Sequence, residues 1–219
     1  MKKSISILTI TIATFFLLVN TAVVLAQPPE TIQLLKPQTE GGKPLMQALK
    51  ERESAREFNP DKLPPQVLSN LLWAAFGLNR KDSGKRTAPS AHNWQEIDVY
   101  VALEEGLYRY DAKAHLLKLA VAKDIRAATG VQSFVKEAPV NLVFVADFSK
   151  MGDSTPEQKI FYSAADTGFI SQNVYLYCAS EGLATVMRAW IDKPALAKAM
   201  DLGPEQSIIL SQTVGYPKK

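Results

Sequence analysis

The chain has 219 residues, a net charge of +3 and a single cysteine. That length suits one domain with a real core. A charge this close to balance argues against a general nucleic-acid binder, and one cysteine excludes an intrachain disulfide framework. Residues 1–26 read as a secretory leader. Lys2 and Lys3 give a basic start, 5–19 is an apolar run, and Val24-Leu25-Ala26 offers a cleavage site before Gln27. The alternative is an uncleaved membrane anchor, since the run reaches spanning length when 22–25 are counted. Asn20 and Thr21 interrupt it, so export to the periplasm or the medium is expected, with membrane contact only through this segment.

Residues 27–42 are a proline-containing lead-in without a clear period, an arm or a linker, and 43–219 is the expected folded domain. The pattern KPLMQALKE predicts a short helix over 43–51, followed by a turn at 59–63. Pro64 and Pro65 open a helix at 66–76, with Val67, Leu68, Leu71, Leu72 and Ala75 inward and Gly77 at its end. Residues 78–93 read as a polar loop. Alternation and β-propensity predict strands at 94–103, 107–110 and 115–121, joined by turns at 104–106 and 111–114. His115, at the start of the third, reads as a surface residue. A short helix is expected at 123–129, closed by Gly130. The continuous apolar run VNLVFVA at 140–146 fits a strand buried on both faces, and 147–156 reads as a loop.

The stretch 163–190 organises the rest. It predicts a helix to Glu181, about 28 Å long, with Gly182 just past its end and a short extended run beyond. Ala165, Phe169, Leu176 and Leu183 fall near one face, with Ile170, Val174 and Tyr177 beside them, so burial on several sides is expected. Ala164, Gly168 and Ser171 form a strip of small residues that lets another backbone come close. Cys178 reads as a small core residue. A helical turn at 194–200 and a last strand at 207–214 complete the chain. Strands and helices interleave around an early three-strand meander, which predicts an α+β fold with a central mixed sheet flanked by helices.

Four stretches carry candidate chemistry. In Arg52-x-Ser54-x-Arg56 an extended backbone puts both guanidiniums and the hydroxyl on one side, a set suited to phosphate. A solvated loop with ion pairs to Glu51, Glu53 or Glu57 is the other reading. Around Pro89-Ser90-Ala91-His92-Asn93, after the basic Arg86, backbone amides, a hydroxyl and an amide side chain can meet the polar edge of a heterocycle. An ordinary turn before a strand is equally compatible. The run through Arg188 and Ala189 can lay backbone N–H groups against a ring, or be a plain core strand. Lys218 and Lys219 can add charge near a phosphate, or fray. The two histidines are not at metal spacing. No glycine-rich phosphate loop and no nucleophile elbow occur.

These four stretches in this order resemble the nitroreductase family of flavin enzymes, and within it the short branch that includes the SagB-type dehydrogenases. The resemblance rests on RESAR at 52–56, PSAHNWQ at 89–95, the long helix ending in Gly182-Leu183, and GYP at 215–217. It implies a dimeric nitroreductase-like fold that binds FMN at the subunit interface. Arg52, Ser54 and Arg56 would hold the phosphate and ribityl side. Pro89, Ser90, Ala91 and Asn93, with Arg86, would approach from the partner subunit. The turn at Arg188 and Ala189 would present an N–H to flavin N5, although Arg188-Ala189-Trp190 departs from the small residues or Glu-Gly usual there. Lys218 and Lys219 remain as phosphate contacts. The implied activity is ping-pong hydride transfer to small planar acceptors such as quinones or nitroaromatics, with a small-molecule donor. The alternatives are a SagB-like dehydrogenase or oxidase of a ring or peptide, and a non-catalytic exported flavin-binding protein. The flavin carries such chemistry, so no catalytic side chain is assigned.

Overall fold

Residues 27–218 are described by a computed structural model; the leader expected at 1–26 and Lys219 lie outside the described residues. In chain order the elements are β1 (Thr31–Gln33), α1 (Leu45–Glu51), β2 (Phe58–Asn59), α2 (Pro65–Phe76), β3 (Leu78–Arg80), β4 (Lys85–Arg86), β5 (Ile97–Ala102), β6 (Leu107–Asp111), β7 (Leu116–Val121), β8 (Val140–Asp147), α3 (Pro156–Glu181), β9 (Ala184–Arg188), α4 (Lys193–Ala199) and β10 (Gln206–Pro217). The main sheet runs β1-β7-β6-β5-β8-β10-β2, with β9 also paired to β10.

Every strand pair among the described residues is antiparallel, which corrects the expected mixed sheet. The reason lies in β10. The crossover through α3 returns β9 in the same direction as β8, the arrangement that makes parallel neighbours. Here β10 inserts between the two and pairs antiparallel with both.

The central strand β8 explains the layering. Leu142, Phe144 and Ala146 point to one face, where they meet Leu71, Leu72 and Phe76 of α2 and Ile170 and Val174 of α3. Val143 and Val145 point to the other, against Leu196 of α4 and Met200. Period-two alternation thus feeds two cores from one apolar run. Each fully buried Leu or Phe there contributes about 1.5–3 kcal/mol.

Helix α3 begins at Pro156, inside the stretch expected to be loop, and is about 39 Å long. Thr155 caps it: its hydroxyl accepts from the Gln158 N–H, and the Gln158 side chain accepts from the Thr155 N–H. Gly182 closes it in the left-handed conformation, φ 70°, with its N–H on the Cys178 carbonyl. Burial is one-sided rather than all round. Ser163, Asp166, Thr167, Ile170, Ser171, Val174 and Cys178 are inside, while Phe161 and Phe169 are 67% and 49% exposed. No helix among the described residues is long and apolar enough to cross a membrane.

Other differences are local. The lead-in contributes β1, paired to β7 at the sheet edge. Phe58 and Asn59, at the edge of the expected turn, pair with Pro217 and Tyr216. The polar loop holds the small β3–β4 hairpin. The helix expected at 123–129 is a 3-10 turn, Arg126–Thr129. His115 is half-buried rather than a surface residue. Its Nε2 lies 3.0 Å from the Leu35 carbonyl and 2.8 Å from Ser69 Oγ, and its Nδ1 lies 2.9 Å from the Tyr110 hydroxyl. It thereby ties the lead-in to α2 and β6, and burial pulls its pKa below the ordinary histidine value.

Candidate functional site

The two motif-bearing loops lie on the same helix at different heights. Arg52 ends α1 in an extended conformation, φ −61° and ψ 120°. The chain then runs along the free edge of β9, where the Ala55 N–H donates to the Thr185 carbonyl at 3.0 Å. Tyr175 of α3 organises this segment. The Arg52 guanidinium lies over its ring, 5.1 Å from the centroid, a contact worth about 0.5–1 kcal/mol at such a site. Its hydroxyl accepts from the Met187 N–H of β9 at 2.9 Å, which leaves the phenolic hydrogen free to go to Ser54 Oγ, also at 2.9 Å. Glu51 pairs with Lys43 instead of an arginine. Among the described residues neither Arg52 nor Arg56 forms an ion pair, so the solvated ion-pair reading is not the one realised. A cavity of about 200 Å³ lined by Tyr175, Ala55 and Thr185 adjoins the segment. Lys218 is beside it in register, its N–H on the Glu57 carbonyl.

The 89–93 loop sits further toward the start of α3. The Ala91 N–H donates to Asp166 Oδ2 at 2.8 Å, nine positions before Tyr175 and so about 13 Å away along the helix axis. The loop is tightly held. His92, Asn93 and Gln95 all have positive φ, 51°, 56° and 50°, a conformation that costs roughly 1–3 kcal/mol for a residue with a side chain. The surroundings enforce it. Ser90 accepts the N–H groups of Asn93 and Gln95 through its carbonyl and hydroxyl. The Gln95 amide accepts from Arg86 Nε at 2.7 Å and donates to the Gly84 carbonyl and Asn93 Oδ1. Arg86 also donates to the Phe76 carbonyl and stacks on the Phe76 ring at 4.3 Å; burial pulls its pKa below the usual arginine range. A basic cavity of about 230 Å³ opens here between Arg80, Lys85, Arg86, Pro89, Ser90 and Asn93. The His92 and Trp94 rings stack at 4.5 Å, with Tyr162 edge-on to Trp94.

Arg188 turns inward. Its guanidinium donates to Thr213 Oγ1, the Thr129 carbonyl and Asn141 Oδ1 at 2.8–3.1 Å. Burial with no carboxylate beside it pulls its pKa down to about 10. Ala189 and Trp190 are exposed. The structure therefore brings Arg52, Ser54, Arg56 and Lys218 to one end of β9 and groups Arg86 with Pro89, Ser90, Ala91 and Asn93. Within one chain it does not bring these two groups together.

Sequence reasoning missed three residues here. Tyr175 resembled the other aromatic residues of an apolar helix. Asp166 had a signal, as the lone charge in a long uncharged stretch. Its neighbour Glu96, fully buried just before β5, had none, because nothing local marks a glutamate for burial.

The sequence profile of the nitroreductase family matches residues 49–216. The chain is 30% identical over 167 residues to a protein of Methanocaldococcus jannaschii named as a candidate nitroreductase, covering 72% of this chain and 83% of that one. Among solved structures, a candidate nitroreductase from Ralstonia eutropha superposes with a TM-score of 0.85 at 46% identity, over 89% of this chain and 93% of the other. The E. coli microcin synthetase complex, with truncated pro-MccB17 bound, shares the fold: TM-score 0.69 and 20% identity over 77% of this chain and 70% of that chain.

Proposed function

The chain belongs to the nitroreductase family of oxidoreductases, and from that premise we propose that it binds FMN between two copies of itself and reduces small planar acceptors of the quinone or nitroaromatic type. One observation carries the proposal. Separate cavities of about 200 and 230 Å³ adjoin the two motif-bearing segments, each below the roughly 300 Å³ at which small-molecule sites begin. Glu53, Ala55, Tyr175 and Thr185 wall the first, next to Arg52, Ser54 and Arg56 in the chain, and Arg86, Ser90 and Asn93 line the second. Pairing through the outer face of α3 would complete each half-site with the other's complement. Large apolar side chains are exposed on that helix, Phe161 and Phe169, and elsewhere on the chain Leu45 and Met46 of α1 and Trp190 are exposed too; apolar side chains left in water in this number mark interaction surfaces.

The residues present fit the cofactor. Arg52, free of any carboxylate and steadied by the Tyr175 ring, and Arg56 offer planar donors to a phosphate, with Ser54 and Lys218 beside them. From the other copy, the rigid 89–93 loop would present Ser90, Ala91 and Asn93 to the polar edge of the ring. In this reading the backbone of Arg188 and Ala189 would be the donor at N5, and the Arg188 side chain, anchored inside, would fix that backbone rather than reach the site. When bound, FMN supplies the hydride transfer at N5, to which donor and acceptor come in turn. The protein's part is to grip, to orient and to exclude water.

The test is reconstitution. Protein given FMN and passed through gel filtration is expected to keep flavin absorbance in a dimer-sized peak, and Arg52→Ala with Arg56→Ala to weaken FMN binding at least tenfold. A colourless parent protein at saturating FMN would reject the reading. The leader at 1–26 places the mature chain outside the cytoplasm in this proposal, which makes cytosolic nicotinamide nucleotides poor candidates for the donor. Assay of the reconstituted protein with quinones and nitroaromatics, anaerobically and in air, separates a reductase from an oxidase or a non-catalytic carrier.

A further inference from the structure

Two carboxyl groups are sealed together beneath the 89–93 loop. Glu96 is fully buried and Asp166 nearly so. Their carboxyls lie within hydrogen-bonding reach of each other. Asp166 has a donor, the Ala91 N–H at 2.8 Å. Neither oxygen of Glu96 has a close donor. The hydroxyl of Ser163, beside it on α3, is 3.6 Å from Met151 Sδ and can turn to Glu96 as well. Two buried carboxylates in contact, only Asp166 with a backbone donor, cannot both stay ionised at modest cost. A single proton donated from Glu96 to Asp166 gives each group a hydrogen bond and removes one charge.

We propose that Glu96 and Asp166 hold one proton between them, and that this shared proton sets how firmly Asp166 clamps the Ala91 amide and with it the strained 89–93 loop. Both are positioning residues: they act on the loop through Ala91. Burial pushes Glu96 up to about 7, with the neighbouring Asp166 charge adding to it, and burial raises Asp166 as well. The pair therefore titrates as a unit near neutrality.

Among the described residues, the other charged and titratable groups around the loop are turned to partners of their own. His92 on the loop and Tyr162 on α3 are engaged with Trp94. Arg86 is turned to Gln95 and Phe76. Asp98 on β5 is paired with Lys150 and Arg109, and Asp147 on β8 with Ser149 and Lys150. The loop and the residues just after it also concentrate backbone strain: His92, Asn93 and Gln95 are three of the five non-glycine residues with positive φ among the described residues. A weakened clamp would be felt there first.

The sign follows from linkage. A carboxyl raised on folding adds stability that is fully present below its ordinary value of 4.5 and is lost as pH rises through about 7. His115, pulled down by burial, contributes in the opposite sense, so the measurement must compare a variant with its parent. Glu96→Gln keeps a permanent donor to Asp166 and mimics the protonated pair.

Two readouts test the proposal on the full-length domain without added flavin. In a 15N-labelled sample the Ala91 amide proton is expected to titrate between pH 5 and 9 with a midpoint near 7, and to stop titrating in Glu96→Gln. The melting temperature of Glu96→Gln is expected to match the parent at pH 5 and exceed it by several degrees at pH 8. An Ala91 amide that does not titrate in the parent, or titrates equally in the variant, overturns the proposal; so does a melting-temperature difference that stays constant with pH. The parent titration needs no variant, so a variant that fails to fold leaves the question decidable. A pH-dependent clamp in a protein that binds no FMN would sustain this inference while rejecting the proposed function.

Discussion

Arg188 is a buried cation whose partners are all neutral. Three acceptors from three parts of the chain, on β10, on β8 and in the 3-10 turn, converge on its guanidinium. The fit is close enough that a Cβ on Gly130 would lie 1.8 Å from Arg188 Nη1, so any side chain there would have to push the guanidinium off its acceptors. An alanine at 188 would leave a cavity and loosen three buried acceptors, an expected loss of about 3 kcal/mol in urea unfolding. Arg188→Lys is expected to recover less than half of it, because an ammonium cannot reach three acceptors with the geometry of a planar fork. Equal stability of the Ala variant and the parent would show that the network is slack. From the sequence, Arg188 could be read as a site residue or as part of a core strand. The local pattern carries no information about which way a strand residue points when its neighbours Val186 and Ala189 are apolar as well.

Tyr175 shows what an element adds to its residues. A single phenol joins α3, the edge of β9 and the 52–56 segment, with Met187 N–H on one side of its oxygen and Ser54 on the other. Tyr175→Phe keeps the ring under Arg52 and deletes both hydrogen bonds. The global melting temperature is expected to fall by no more than a few degrees, since each bond is worth about 1 kcal/mol and the site is at the surface. FMN affinity is expected to drop about tenfold, because Ser54 and the Met187 amide lose their common anchor. Unchanged affinity by fluorescence titration would remove Tyr175 from the site. At this scale much was legible from sequence. The alternation of β5, β6, β7 and β10, the two-faced run of β8, the prolines opening α2 and Gly182 ending α3 are all local signals. The pairings of two or three residues in β1, β2 and the β3–β4 hairpin were not, because an edge strand that short is held by its partner's free N–H and C=O groups rather than by its own propensity. The strand directions were not legible either, because insertion of β10 between β8 and β9 is a long-range event. The buried partnership of Glu96 and Asp166 escaped for the same reason.

For the whole molecule, the question is what covers the outer face of α3. The sequence marked Ala164, Gly168 and Ser171 as a strip for close approach, and the structure divides that strip. Ser171 is buried inside the chain, whereas Ala164 is exposed and a Cβ added at Gly168 would meet nothing within 4 Å. Phe161 and Phe169 are exposed on the same helix, and Leu45 and Met46 of α1 are exposed as well, the latter 75%. A second copy of the helix, laid antiparallel across Ala164 and Gly168, would bury these aromatics. It would also bring its own early turns, which carry the 89–93 loop, toward Tyr175 and the 52–56 segment of the first. Gly168→Leu separates this from an ordinary surface. Within one chain the added Cβ meets nothing within 4 Å, and leucine favours a helix interior over glycine by about 0.5–1 kcal/mol, so helicity by circular dichroism is expected to hold or rise. Between two chains paired this way, the same side chain would occupy the space of close approach. The variant is expected to sediment as a monomer while the parent sediments as a dimer, and to lose bound flavin in proportion. A Gly168→Leu protein that stays dimeric and yellow would show that the α3 faces are not what the two copies share, and the two half-sites would then need another way to meet.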